Sequence, residues 1–283
     1  MWSFVREFLV ASLVAWSAVA ELSFVAEGSQ RGKRVDIKEL DFQAIPPRRH
    51  WKEGSRSRSH PHVKDTSKRA DISYSGNWCG ASQHSTSADQ IVNAFSYFTA
   101  PDLQLRPGIP GAQFAAAWVG IDGAACKSAL LQAGVTTVVN TNGGQSASAW
   151  WQWYPEASYS IKGLPVKPGE WMSVNITAAS ATSGKVIITN AQQGYSVSIT
   201  VSNGPKLCRV DAEWIVEDFY DAKGQVAFAS FSDVWFVDAA ATTIKNKNIG
   251  IDGAAMVHLQ NENGTVVCEA EAYDNSNFVL TSK

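Results

Sequence analysis

Apolar and polar residues alternate with a period of two along much of the C-terminal three quarters of the chain. Ser173-Val174-Asn175-Ile176-Thr177, Lys185-Val186-Ile187-Ile188-Thr189 and Tyr195-Ser196-Val197-Ser198-Ile199-Thr200-Val201 all show it. Successive strand side chains point to opposite faces, so each run predicts a strand with one buried face. Clusters of Gly, Asn, Ser and Pro separate the runs, as turns require. No stretch has the apolar spacing of an amphipathic helix of about 12 residues or more; residues 124–132 offer a short turn at most. Strands at regular intervals without crossover helices predict an all-β fold, a two-sheet antiparallel β-sandwich.

The alternation does not reach the N-terminus. Residues 1–20 carry Arg6 near the start, an apolar run over residues 8–20 and the small-residue triplet Ala18-Val19-Ala20, the layout of a secretory signal peptide. The 13-residue run is shorter than the roughly 20 residues a bilayer demands, so a membrane anchor is not expected. Residues 21–69 have no sustained apolar period and contain Pro46-Pro47-Arg48-Arg49-His50 and Ser55-Arg56-Ser57-Arg58-Ser59. Such a segment buries too little to offset ordering, and a mostly disordered pro-segment is expected. It ends at the dibasic pair Lys68-Arg69.

Charge divides at the same point. The chain's 283 residues have a formal net charge of −2. Residues 21–69 hold 12 Lys+Arg against 7 Asp+Glu, whereas residues 70–283 hold 11 against 18. A basic leader opposite an acidic domain suggests that the pro-segment acts as an inhibitor over an acidic cleft until it is removed. A basic segment of this kind could also be a nucleic-acid or heparin arm, but in a secreted chain a removable pro-segment is the expectation, and no nucleic-acid partner is expected.

All four cysteines, Cys79, Cys126, Cys208 and Cys268, lie in the last domain. In a secreted chain an even number reads as disulfides, with three connectivities open. Asn175-Ile176-Thr177 and Asn263-Gly264-Thr265 are glycosylation acceptors. Residues 70–283 contain only His84 and His258, and no His-Glu-x-x-His, Gly-x-Ser-x-Gly or Asp-Thr-Gly. Zinc, serine-triad and aspartic-protease chemistry therefore lack their usual parts, and no metal or cofactor is expected.

Two dense segments remain. One runs Ala117-Trp118-Val119-Gly120-Ile121-Asp122-Gly123, then Cys126, then Leu131-Gln132-Ala133-Gly134. The other is Cys208-Arg209-Val210-Asp211-Ala212-Glu213-Trp214-Ile215-Val216-Glu217-Asp218-Phe219. Period two sets Asp211, Glu213, Ile215 and Glu217 on one strand face. With Asn77-Trp78, Trp150-Trp151-Gln152-Trp153-Tyr154-Pro155 and Phe228-Ala229-Ser230-Phe231, these segments resemble the glutamic peptidases, or eqolisins (peptidase family G1). Those are acid endopeptidases secreted mainly by filamentous fungi.

The resemblance implies a concanavalin A-like (jelly-roll) sandwich whose concave sheet forms the substrate cleft. It implies a catalytic dyad of Gln132 and Glu213, cleft tryptophans at Trp78 and Trp118, an acid near the dyad at Asp122, and substrate contact at Gln152. It also implies a Cys126–Cys208 disulfide, which leaves Cys79 and Cys268 as an extra pair. Proteins or peptides are then the substrates of a secreted, extracellular monomer that acts through an activated water. Thr136, Ser148 and Gln152 stand where the family usually has acids, which predicts activity reaching less acidic pH. Rival readings are a glycoside hydrolase or carbohydrate-binding sandwich using Asp211 and Glu213, and a catalytically dead homologue.

Overall fold

The computed structural model describes residues 21–35, 42–45 and 71–283. The described residues contain strands and turns and no helix, so none contains a helix long and apolar enough to cross a membrane. The three runs read from the alternation become strands Trp171–Ala178, Gly184–Asn190 and Tyr195–Ser202. They pair antiparallel in sequence order.

Hydrogen-bonded ladders link 19 strands into one continuous sheet, which curls into two layers. In the front layer Ser158–Ile161, Gln145–Tyr154, Leu130–Val139, Gln113–Ile121, Asp211–Glu217, Trp78–His84 and Ala255–Gln260 lie side by side, antiparallel. Asp71–Ser75 adds the single parallel pairing between named strands, against Ala255–Gln260. The back layer runs from Tyr195–Ser202 through Gly184–Asn190, Trp171–Ala178 and Ile91–Thr99 to Val234–Thr243. Phe278–Ser282 and Val266–Ala272 carry the ladder back to the front layer.

Alternation explains why the front strands are apolar on both faces. Ala133, Trp151, Trp214 and Val216 point inward and join Phe98, Val174, Ile188 and Phe236 of the back layer in one core. Trp78, Trp118, Leu130, Trp150 and Ile215 point the other way and form a second cluster. A strand packed on both sides reads as a continuous apolar run, and all seven residues of Asp211–Glu217 are buried. Two disulfides brace this layer, Cys126–Cys208 and Cys79–Cys268.

Two stretches of the segment expected to be mostly disordered, residues 21–35 and 42–45, form strands that pack on the domain. Ser23–Gln30 pairs antiparallel with Tyr195–Ser202 over eight residues and turns back into Lys33–Val35. Arg31 and Gly32 at that turn have φ of 48° and 77°, the left-handed pair that a two-residue hairpin needs. Phe42–Ile45 pairs with Ser158–Ile161. These short segments look featureless alone because their partners lie over 100 residues downstream. The signal peptide and Lys68-Arg69 lie outside the described residues.

Candidate active site

Register alone assembles the site. Gln152 pairs with Gln132, Gln132 with Gly120, Gly120 with Glu213, and Glu213 with Ser82. Directly paired residues point to one face, so Gln152, Gln132 and Glu213 stand in one row facing away from the sandwich core. Gln132 and Glu213 are two strand spacings apart, about 10 Å between backbones, and the residue between them is glycine. A Cβ on Gly120 would fall 2.8 Å from Leu130 Cδ1 and 2.9 Å from Trp118 Cζ3. Glycine therefore keeps the space between the dyad side chains free of a side chain of its own.

Gln132 Nε2 donates to Gln152 Oε1 at 3.0 Å, and Gln152 Nε2 donates to the Glu156 carbonyl at 2.9 Å. The second bond orients the Gln152 amide, which in turn orients Gln132. Glu213 is fully buried. Neither of its carboxylate oxygens has a hydrogen bond of ordinary geometry, although the Ala124 N–H lies close enough to favour the charged form slightly. Burial, followed by the charges of Asp211 and Asp122, pushes the Glu213 carboxyl well above the usual carboxylate range.

Glu217, two rungs from Glu213 on the same face, was visible only as part of the acidic alternation. It is the hub of the tryptophan cluster. Its Oε1 accepts from Trp78 Nε1 at 3.0 Å and Asn77 Nδ2 at 3.2 Å, and its Oε2 from Trp118 Nε1 at 3.0 Å. The indoles meet edge to face at 5.2 Å. Trp78 lines the open cleft, whereas Trp118 is wholly buried beneath it. Gly134 pairs with both Trp150 and Trp118; a Cβ there would lie 2.1 Å from the Ala117 carbonyl oxygen.

Asp122 and Asp211 form reciprocal latches beside Glu213. Asp122 accepts the backbone N–H groups of Arg209 at 2.8 Å and Val210 at 2.9 Å. Asp211 accepts those of Ala125 at 2.7 Å and Cys126 at 3.0 Å, and its other oxygen meets His84 Nδ1 at 2.8 Å. The Cys126–Cys208 disulfide staples the same two segments. The structure thus places Asp122 as a buried brace on the entry to the Glu213 strand. Burial raises its proton affinity, and the backbone bonds partly offset this. Both Asp211 oxygens are thus engaged in bracing the loop.

A cleft of 1190 Å³ opens over this layer, lined by Trp78, Ser82, Gly123, Ala124 and, further along, Arg106, Asp218 and Phe228. Gln132 and Glu213 are fully buried and do not themselves line it. Asp218 is a further group that sequence reasoning missed. It is buried, Gln225 Nε2 donates to its Oδ2 at 2.9 Å, and its Oδ1 has no hydrogen bond. Burial and the neighbouring Glu217 charge push it up to about 8. Thr136 and Ser148 pair with each other, and Thr136 pairs with Ala116, which faces Glu217. Two of the neutral replacements therefore share the Glu217 row, and Gln152 occupies the dyad row. The acceptor Asn263 is exposed at the cleft mouth, whereas Asn175 is half-buried on a strand.

A β-sandwich with Trp78 in its cleft and Gln132 and Glu213 aligned on one face of a sheet fits an acid endopeptidase of the glutamic class. The Peptidase A4 family model matches residues 76–282, and the chain belongs to that family. Aspergillopepsin-2 of Aspergillus niger is 31% identical over 248 residues, 79% of this chain and 86% of the relative. Scytalidopepsin B of Scytalidium lignicola is 30% identical over 268 residues, 89% and 91% of the two chains. The solved structure of scytalido-glutamic peptidase with a peptide-based transition-state analog matches with a TM-score of 0.64 at 28% identity. That match covers 74% of this chain and 98% of the other. Aspergilloglutamic peptidase from Aspergillus niger matches with a TM-score of 0.57 at 35% identity, covering 60% and 99%.

Proposed function

We propose that this endopeptidase cleaves proteins through Gln132 and Glu213 acting on one water molecule. The observation that carries the reading is the row in which glycine alone separates the two side chains. Ionised Glu213 takes a proton from the water as its oxygen bonds to the scissile carbonyl carbon. The carbonyl becomes an oxyanion. Gln132 Nε2 donates to Gln152 Oε1 in the resting site, and in the reaction the Gln132 amide turns an N–H to that oxyanion, a contact worth ~3 kcal/mol. Collapse of the intermediate breaks the C–N bond, and Glu213 returns its proton to the leaving amine. Desolvation strengthens Glu213 as a base while shrinking its ionised fraction in acid. Admission of the attacking water to the carboxyl hydrates it and restores part of that fraction.

Replacing Glu213 by Gln, or Gln132 by Glu, tests the assignment with denatured protein as substrate across acidic pH. Turnover is expected to vanish while circular dichroism stays that of the parent. Measurable turnover by either folded variant would remove the dyad from the mechanism. The signal pattern at residues 1–20 and the two disulfides support a secreted, extracellular enzyme. The enzyme acts as a monomer, and its basic pro-segment serves as its inhibitor. The support for inhibition is the opposite charge of residues 21–69 and 70–283; the cleft wall itself is not markedly acidic, with Arg106 and Lys127 against Glu262 and an Asp218 that holds its proton. Comparing the activity of the full chain with that of the chain cut at Lys68-Arg69 decides the inhibitory role.

A further inference from the structure

The two leader pairings meet at one side of the sandwich. Tyr195–Ser202 is the last strand of the back layer and Ser158–Ile161 the last of the front layer. Ser23–Gln30 extends the first and Phe42–Ile45 the second. Between them Phe24 packs edge-on against Phe42 at 5.4 Å, Trp151 at 5.0 Å and Tyr159 at 5.0 Å. Phe24, Ala26 and Gly28 pair with the core residues Val201, Ile199 and Val197, so this leader face continues the core. Val25, pointing out, is 68% exposed.

The domain's own edges show that they are built to be covered. An exposed edge strand normally carries Lys, Pro or another charge to block stray pairing. Tyr195–Ser202 reads YSVSITVS and Ser158–Ile161 reads SYSI, without one charged residue or proline. The leader hairpin supplies what they lack: its outermost strand, Lys33–Val35, reads KRV, with Glu27 ion-paired to Arg34. Three strands separate Ser158–Ile161 from the strand carrying Glu213. Among the described residues no leader side chain lines the cleft.

We propose that leader residues 21–35 and 42–45 form a clip that closes the open edge of the sandwich, and that the clip stays on as a separate, non-covalently held chain after the cut at Lys68-Arg69. Inhibition by the leader, if lifted by that cut, then does not require the clip to leave.

The test uses the full chain with Glu213→Gln to suppress self-digestion, nicked by a dibasic-specific endoprotease. The fragment is expected to co-elute with the 70–283 domain in gel filtration, with the amides of Tyr195–Ser202 protected from hydrogen exchange. Phe24→Asp is expected to release the fragment on nicking and to abolish that protection. If this variant fails to fold, a synthetic peptide of residues 21–45 is added to the domain isolated after denaturation and refolding. Saturable change in tryptophan fluorescence, from Trp151 beside Phe24, together with regained protection, is then expected. Release of the fragment from the nicked parent, or retention unchanged by Phe24→Asp, would overturn the proposal. None of these readouts depends on proteolytic activity, so failure of the clip and failure of the inhibitory reading are distinguishable.

Discussion

Asp218 ties the acid habit of the enzyme to its stability. In the folded protein burial and the Glu217 charge move it from 3.8 up to about 8. The Arg106 charge offsets this only in small part. Unfolding returns Asp218 to its ordinary value. Between about pH 4 and pH 8 the unfolded chain has therefore lost a proton that the folded chain keeps. Raising the pH through that window favours unfolding by about 1.36 kcal/mol per unit. Across the window this accumulates to roughly 5 kcal/mol, comparable to a domain's whole net stability. Below about pH 4 nothing from this group is lost. Asp218→Asn keeps the shape and an acceptor for Gln225 but cannot ionise. Urea unfolding of the Glu213→Gln protein, with and without Asp218→Asn, measures the effect at half-unit steps from about pH 3.5 to 8.5. The additional substitution should flatten the decline, with the two stabilities nearly equal in acid and several kcal/mol apart at about pH 8. Parallel curves, differing by less than about 1 kcal/mol in total pH dependence, would refute the reasoning.

Two further substitutions probe the surroundings of the dyad, and a double substitution probes a disulfide of the core. Asp211→Asn removes a charge that raises the proton affinity of Glu213 and should move the acidic limb of kcat/KM to lower pH; an unmoved limb would mean that Asp211 acts only as a backbone latch. Gln152→Glu places an ionisable group beside Gln132. Its ionisation should oppose the oxyanion, lowering kcat/KM at about pH 5.5 relative to about pH 3.5 by roughly tenfold, or 1.4 kcal/mol. An unchanged ratio would dismiss the neutral residue as the source of a broader pH range. Replacing both Cys79 and Cys268 by Ala opens a link between residues 189 apart in sequence and should cost roughly 3–5 kcal/mol in urea unfolding. A loss under about 1 kcal/mol would place the constraint elsewhere.

What could be read along the chain was whatever a single strand carries by itself. Asp211–Glu217 announced its shared acidic face through period two, and the resemblance supplied its partner at Gln132. Roles that depend on distant pairing were not legible. Glu217 looked like one acid among three, because the indoles it holds lie 139 and 99 residues away in sequence. Trp118 and Asp122 carry the side chains expected at a cleft, yet register sets Trp118 beneath Trp78 and the loop latch turns Asp122 onto backbone N–H groups.

The leader shows the same limit from the other side. Leu22-Ser23-Phe24-Val25-Ala26 is too short an apolar stretch to stand out in a segment dominated by Arg, Ser and Lys. Its partner strand announced the pairing indirectly. Tyr195–Ser202 has the alternation of a buried strand and none of the charges of an exposed edge. An antiparallel sandwich must end its sheets somewhere, so an end strand without charge or proline implies a cover supplied by another segment. The same test applied to Ser158–Ile161 points to a second covering strand. Both covers come from the leader, which makes the segment that composition marks for removal a structural part of the domain that composition marks as mature.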